Sequence, residues 1–223
     1  MKIIRSVILE IVTMSFVFSI HAQGTFQNLN FESANPGTTF SFGVPVSSAL
    51  PGWTVTIGGV QQTDVGVNTF STGAPAVSLI APGGPVPAID GNYSVFLTGS
   101  TAVSSISQSG LIPSGMESLF FDAQQGTGGG GNGTLSLMVG NQTVPITPVE
   151  TESGYTVYGA NISAWAGDPE QLTFSASEAT SGLNNWTLDD ISFSPTATPE
   201  PNTLALIVMG GAAFAVRQWR KRG

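Results

Sequence analysis

The chain has no cysteine and only one histidine, and its lysines and arginines are confined to the two ends. The six basic residues are Lys2, Arg5, Arg217, Arg220, Lys221 and Arg222, and the histidine is His21. The body between them, residues 23–195, therefore contains no disulfide and no positively charged side chain. Its fold must depend on its apolar core, although an exported protein could have used disulfides.

These absences exclude most catalytic chemistry. A Ser-His-Asp triad, a cysteine nucleophile, a histidine-based zinc site and a lysine Schiff base each need a residue that the body does not have. Paired carboxylates, as in glycoside hydrolysis, remain. The first two candidate pairs lie in polar segments, without the apolar surroundings that raise the pKa of a general acid, so we expect no enzyme. The pairs are Glu150 with Glu152, Asp168 with Glu170, and Asp189 with Asp190.

The charge of the body has one sign. Of the fourteen Asp and Glu residues, all except Glu10 and Glu200 lie in residues 23–195, and the net charge of the whole chain is −8. Nucleic-acid binding depends on lysine and arginine side chains that neutralise phosphates. The body would repel a phosphate backbone, so we exclude a nucleic-acid partner.

Long apolar runs are scarce, and those that exist lie at the ends. The first extends from Ile11 to Ile20, after Lys2 and Arg5 and before a polar stretch that ends at Ala22. A basic start, an apolar middle and a short polar end are typical of a secretory signal peptide. We predict a signal peptide over residues 1–22, cleaved after Ala22, and hence an exported protein.

The second apolar run, Leu204 to Val216, has thirteen uncharged residues. As a helix it would span only about 20 Å, against about 30 Å for the hydrocarbon core of a bilayer. Pro199-Glu200-Pro201 precedes the run, and a basic tail of Arg217, Arg220, Lys221 and Arg222 follows it. By the positive-inside rule the basic tail stays cytoplasmic and the acidic body lies outside.

This arrangement resembles the PEP-CTERM sorting signal of Gram-negative, exopolysaccharide-producing bacteria. The resemblance covers residues 199–222, and Thr198 stands where the family usually has valine. It implies that an exosortase, an integral membrane enzyme, recognises Pro199-Glu200-Pro201, cuts near it and passes the body to the cell surface. Residues 196–223 would then be a sorting and anchor segment, with a hydrophobic helix at about 203–217 that lies transiently in the inner membrane. The alternative is a simple C-terminal tail anchor.

The body has the composition of a β-protein. Gly, Ser, Thr, Asn and Pro dominate its polar positions, and helix formers such as Lys, Arg and Glu are scarce. Three runs alternate apolar and polar residues with period two, namely 135–139, 172–176 and 93–98, and turn clusters separate them. We predict one all-β domain over residues 23–195, an antiparallel two-sheet β-sandwich of the jelly-roll type. Residues 162–167 are the expected exception, a single helical turn.

Several short motifs of the body resemble those of galactose-binding-like jelly rolls and DUF642-type domains. They are Asn30-Phe31-Glu32, Leu50-Pro51-Gly52-Trp53, Asp90-Gly91-Asn92-Tyr93, Ile106-Ser107-Gln108 and Trp186-Thr187-Leu188-Asp189-Asp190. In such domains the first and last strands lie close together, and an early acidic residue joins a late Asp around a structural calcium ion. The matching positions here are Glu32, Asp189 and Asp190.

The pattern of the last strand indicates the same two residues, Asp189 and Asp190. Trp186 and Leu188 share one face and Ile191 and Phe193 the other, so the apolar phase changes at Asp189-Asp190, which predicts a β-bulge. Since the body has no cation, these carboxylates can pair with backbone amides, water or a hard cation such as Ca²⁺. Calcium at Glu32 with Asp189 or Asp190 is one interpretation, and solvated edge carboxylates are the other.

Aromatic side chains are the remaining functional indication, because exposed rings stack on the faces of sugars. Trp53 and Tyr155 are the candidate glycan-binding residues. Trp53 follows a Pro-Gly turn, which leaves both a core and a rim position open. Tyr155 and Tyr158 cannot both face the same side of a regular strand.

The sequence as a whole predicts an exported, non-catalytic β-sandwich of the cell envelope, cell surface or extracellular matrix, delivered through a PEP-CTERM tail. Its expected partners are an exosortase and exopolysaccharide. Two alternatives remain open, a structural surface protein without a ligand and a carboxylate-pair glycoside hydrolase.

Overall fold

The computed structural model of the chain describes residues 24–70, 76–126, 133–177, 179 and 181–198. The predicted signal peptide, the Pro199-Glu200-Pro201 motif, the hydrophobic helix and the basic tail lie outside these ranges. The described residues form fourteen strands and two short helical segments. The strands are β1 (Ser41–Pro45), β2 (Thr54–Ile57), β3 (Val60–Gln62), β4 (Asp64–Val67), β5 (Ala76–Ile80), β6 (Ser94–Gly99), β7 (Ser104–Leu111), β8 (Ser118–Gln125), β9 (Leu135–Val139), β10 (Gln142–Val144), β11 (Thr147–Thr151), β12 (Thr156–Asn161), β13 (Pro169–Ala176) and β14 (Asn184–Ser194).

The strands form two sheets. The larger has eight strands in the order β1-β4-β5-β6-β14-β8-β12-β11, and the smaller has six in the order β10-β9-β13-β7-β2-β3. Every pair in the six-stranded sheet is antiparallel. In the eight-stranded sheet β4 and β5 run parallel, and the other pairs are antiparallel. The predicted two-sheet sandwich is confirmed, with one parallel pair that the sequence analysis did not predict.

The core lies between the sheets, and β9 alternates as the sequence predicts, whereas β6, predicted to be half-buried, is buried along its whole length. In β9, Leu135, Leu137 and Val139 are buried and the two residues between them are partly exposed. Phe121 of β8 meets Phe174 of β13 across the sandwich, with ring centroids 5.1 Å apart in an edge-to-face arrangement. Edge-to-face pairs contribute about 0.5–1.5 kcal/mol beyond the area that they bury.

The two helical segments are short. One is a 3-10 turn at Ser163–Trp165, which confirms the helical turn predicted at residues 162–167. The other, α1 (Val46–Ala49), directly follows β1 and buries Val46 and Ala49. Neither segment, within the described ranges, has the length or apolar character needed to span a bilayer.

Phe174→Ala should lower the free energy of unfolding by about 3–5 kcal/mol, because it removes a fully buried ring from the contact between the sheets. Denaturant unfolding followed by tryptophan fluorescence would measure the change, since Trp53 and Trp186 are buried. Phe42→Ala is the matched control. Its ring is 77% exposed and meets the exposed ring of Phe40 edge to face, so its effect should stay within about 1 kcal/mol. Equal losses in the two variants would contradict this account of the core.

Candidate functional site

A β-bulge interrupts the last strand where the sequence predicts it. β14 pairs with β8 through Asp189 opposite Asp122, and the register shifts before Ser192. Asp190 adopts a positive φ of 42°, which is uncommon outside glycine. The amide of Ile191 then donates to the carbonyl of Leu29 in the N-terminal segment (3.1 Å). The bulge therefore brings the first described segment against the last strand.

Asp189 lies on the outer face of the eight-stranded sheet, since Leu188 beside it lies in the core. One carboxylate oxygen, Oδ2, accepts hydrogen bonds from the Ser94 hydroxyl (2.6 Å) and the Asp90 amide (3.1 Å). The other, Oδ1, accepts from the amide of Asp190 (2.8 Å). Only 1% of the residue is exposed, and this burial raises the pKa of Asp189 to about 6 even though the three hydrogen bonds act to lower it.

Glu32 holds the same loop from the other side. Its Oε1 accepts from the amides of Asn92 (2.7 Å) and Tyr93 (2.9 Å), and its Oε2 accepts from the Asn92 side chain (3.1 Å). Burial acts to raise the pKa of Glu32, but these bonds together outweigh it and lower the pKa. Gly91 has a φ of +57°, and a Cβ at this position would lie 2.5 Å from Glu32 Oε1. Glycine is therefore needed where the loop runs beside the Glu32 carboxylate.

The sequence analysis did not single out Asp122, the central residue of this face. It lies between Asp189 of β14 and Val157 of β12, directly opposite both. The residue is 9% exposed, and no described residue donates a hydrogen bond to its carboxylate. Burial, together with the charges of Asp190, Asp90 and Glu152, raises the pKa of Asp122 to about 6.

Asp122 and its neighbours form what we call the acidic face. It comprises Asp90, Asp122, Glu152, Asp189 and Asp190 with Tyr155. The charge of Asp122 is the largest cause that raises the pKa of Tyr155, so the phenol lies near this carboxylate. Two residue pairs further along the same strands, and so on the same face, Thr187 lies opposite Gln124. Carboxylates, a hydroxyl, an amide and a phenol thus share one side of the sheet.

The predicted aromatic residues lie in different places. Trp53 is 4% exposed and belongs to the core, where its indole N–H donates to the carbonyl of Asn28 (3.0 Å) and its ring packs on Phe31. Of the core and rim positions that the sequence left open for Trp53, the structure shows the core position. Both tyrosines are partly exposed, and Tyr158 packs against the core, where it stacks on Phe121.

The predicted calcium ligands meet around one loop. Glu32 and Asp189 both accept amides of residues 90–93, and Asp190 follows Asp189 at the bulge. Backbone amides, one of the partners considered for these carboxylates, are present. Within the part of the chain that the structure describes, no three His, Cys, Asp or Glu side chains are grouped so that they could hold a metal ion. Calcium at Glu32, Asp189 and Asp190 stays a prediction.

Residues 197–221 match the PEP-CTERM protein-sorting motif. This match confirms the resemblance that Pro199-Glu200-Pro201 and the basic tail suggested. The motif begins just after β14, which ends at Ser194. The chain therefore carries the sorting signal of an exported protein that is held transiently at the membrane on its way to the cell surface.

Several solved structures are similar to this chain, at low sequence identity. TmCBM61 in complex with β-1,4-galactotriose is 15% identical at a TM-score of 0.44, over 77% of this chain and 97% of that one. A structure of carbohydrate-binding modules from the β-sandwich superfamily is 13% identical at 0.42, over 77% and 63%. A family 11 carbohydrate-binding module from Clostridium thermocellum, with a β-1,3-1,4-mixed-linked tetrasaccharide, is 9% identical at 0.35, over 73% and 99%. The glycans belong to those complexes, and the fold described above rests on the strand pairing of this chain. The comparison with curated proteins gives no match.

Asp122→Asn should stabilise the protein above pH 7 by about 1 kcal/mol, after allowance for solvent screening. The folded pKa of about 6 lies above the ordinary value of 3.8, so the stability linked to Asp122 is fully present below about pH 4 and is lost as the pH rises through about 6. Thermal unfolding at pH 5 and pH 8 would show a smaller difference in the variant than in the wild type.

The control is Glu117→Gln, which removes the same charge from an exposed residue just before β8. It should leave the pH dependence of unfolding unchanged. A wild-type pH dependence retained in Asp122→Asn would contradict the position assigned to this carboxylate.

Proposed function

We propose that this protein is a non-catalytic component of the cell surface or extracellular matrix, whose sandwich binds exopolysaccharide through the acidic face. The observation that carries the proposal is the sorting motif at residues 197–221, directly after the strand that forms the centre of the eight-stranded sheet. The motif directs the folded body to the cell surface. Its partner in that step is an exosortase that recognises Pro199-Glu200-Pro201 and separates the body from the tail.

The chemistry of the acidic face supports glycan binding. Sugar hydroxyls both donate and accept hydrogen bonds, so a binding surface needs carboxylates, amides and hydroxyls in one plane. Asp122 and Gln124 of β8 provide a carboxylate and an exposed amide, and Tyr155 adds a phenol hydroxyl and a partly exposed ring at their edge. Aromatic rings of this kind pack on the apolar faces of pyranoses. Tyr155, of the two aromatic residues predicted for this role, is the one that we keep.

A structural role for calcium at Glu32, Asp189 and Asp190 is part of the proposal. Glu32 and Asp189 both contact residues 90–93, Asp190 adjoins Asp189, and carboxylate oxygens are the ligands that Ca²⁺ prefers. A bound ion would lower the repulsion between carboxylates that have no cationic side chain nearby. Removal of calcium should then loosen the loop beside the acidic face.

The environment of Asp189 supports a role without catalysis. A glycosidase needs two carboxyl groups that reach the substrate, and in retaining enzymes they lie about 5–5.5 Å apart. Asp122 and Asp189, directly opposite on neighbouring strands, are the pair that the sheet brings together. Asp189, however, is enclosed and both of its oxygens accept hydrogen bonds from the protein, which gives no access to a glycosidic bond.

Glycan binding can be measured with the full chain in mild detergent, on a panel of insoluble and bacterial extracellular polysaccharides, in millimolar Ca²⁺ and again in chelator. We expect retention on at least one polysaccharide, reduced by the chelator, and no release of reducing ends. Retention that is the same with and without the chelator would contradict the calcium site but not glycan binding. If the protein is not retained on any polysaccharide in either buffer, it is a structural surface protein without a glycan ligand.

Replacement of Pro199, Glu200 and Pro201 by alanine should block tail processing in a host that has an exosortase. The precursor would then stay in the membrane fraction, and the mature form seen for the wild type would be missing from immunoblots of the surface fraction. The control exchanges Thr196 for alanine, a residue that lies before the matched residues 197–221. Processing that continues in the motif variant would instead indicate a simple tail anchor or a different protease.

A further inference from the structure

We propose that the acidic face binds a polycationic glycan, a polymer of amino sugars whose amino groups are free and protonated. This inference rests on the proposed function, because it names the class of glycan that the sandwich binds. Four features of the described residues lead to it.

The first feature is the unpaired carboxylate at the centre of the face. Asp122 is 9% exposed, and among the described residues it accepts no hydrogen bond. Its neighbour Asp189 accepts three. Buried charges are ordinarily paired, because leaving one unpaired costs several kcal/mol. Asp122 thus has a free acceptor directed at the surface where Asp90, Asp190 and Glu152 add further negative charge.

The second feature is the source of the missing counter-charge. The basic residues of the chain lie in residues 1–5 and 217–222, and the histidine is His21. No lysine, arginine or histidine occurs in the sequence that forms the two sheets, so the body cannot neutralise Asp122 from within. Any positively charged group that pairs with Asp122 comes from outside residues 23–195. A charge-assisted hydrogen bond from an ammonium group would satisfy the carboxylate directly.

The third feature is the spread of the charges, which favours a polymer over a metal ion. The five carboxylates come from the loop before β6, from β8, from the β11–β12 hairpin and from the bulge of β14. Within the described ranges, no three of them converge as the ligands of one ion would. A partner that carries positive charges at intervals along its length matches this arrangement better than a point charge does.

The fourth feature separates a saccharide from a basic peptide. Gln124 lies beside the carboxylates in the same sheet, is exposed, and can both donate to and accept from sugar hydroxyls. Tyr155 supplies a ring for the apolar side of a pyranose. The middle strands of the face are also paired on both sides, so they offer no free edge along which an extended peptide could add as a strand.

The test compares two probes that differ in their amino groups, which are free and charged in one and acetylated and neutral in the other. The full chain in mild detergent is titrated with a chito-oligosaccharide that is fully deacetylated and with the fully N-acetylated oligosaccharide of the same length. We expect clear binding to the deacetylated form, at least about tenfold tighter than to the acetylated form, as one charge-assisted hydrogen bond would give. Binding should weaken with added salt, because the carboxylates lie near the surface.

Two variants locate the interaction. Asp122→Asn keeps the shape of the side chain and should weaken binding of the deacetylated oligosaccharide about tenfold, the loss of one charge-assisted contact. Glu117→Gln removes an exposed carboxylate beyond the other end of β8 and should leave binding unchanged. Circular dichroism of both variants checks that the fold is kept.

The outcomes that overturn the inference differ from those that overturn the proposed function. Equal affinity for the two oligosaccharides, or wild-type affinity in Asp122→Asn, would overturn the polycationic glycan. Tighter binding of polylysine than of the deacetylated oligosaccharide would point to a basic polypeptide instead and would also overturn it. Binding of neutral polysaccharides alone would overturn this inference and leave the proposed function standing, and failure to bind any glycan would overturn both.

Discussion

The architecture depends on carboxylates that have no cationic side chain to pair with. Asp189 and Glu32 accept six hydrogen bonds between them, four of which come from backbone amides, and these bonds hold residues 90–94 against the last strand. Charge-assisted bonds to amides stabilise a buried carboxylate without a salt bridge. The bulge, the loop and the N-terminal segment meet at this point, and the surface beside it keeps the negative charge that the protein does not neutralise.

Much of the fold could be predicted because strand patterns are local. The alternation at residues 135–139 and 172–176 identified strands whose apolar faces form the core. The change of phase at Asp189-Asp190 predicted the bulge, since a regular strand cannot bury Leu188 and Ile191 on the same face. The sorting signal was equally accessible, because three elements in a fixed order need no tertiary information.

What could not be predicted depends on which strands become neighbours. The face of Asp122 could be inferred from its neighbours Phe121 and Ala123, but its position opposite Asp189 requires the register of β8 and β14. Trp53 follows a turn that suits either a rim or a core position, and its burial is decided by Phe31 and Asn28 from a distant part of the chain. The parallel pairing of β4 with β5 likewise has no local signature.

The position of β14 has a mechanical consequence. This strand is hydrogen-bonded on one side to β6 and on the other to β8, and its end at Ser194 leads directly towards the sorting motif. A pull on the tail therefore acts along the strand and loads its hydrogen bonds to both neighbours together, in shear, instead of opening them one at a time. While the tail holds the protein at the membrane, drag on a bound polymer would be borne by the longest of the described strands.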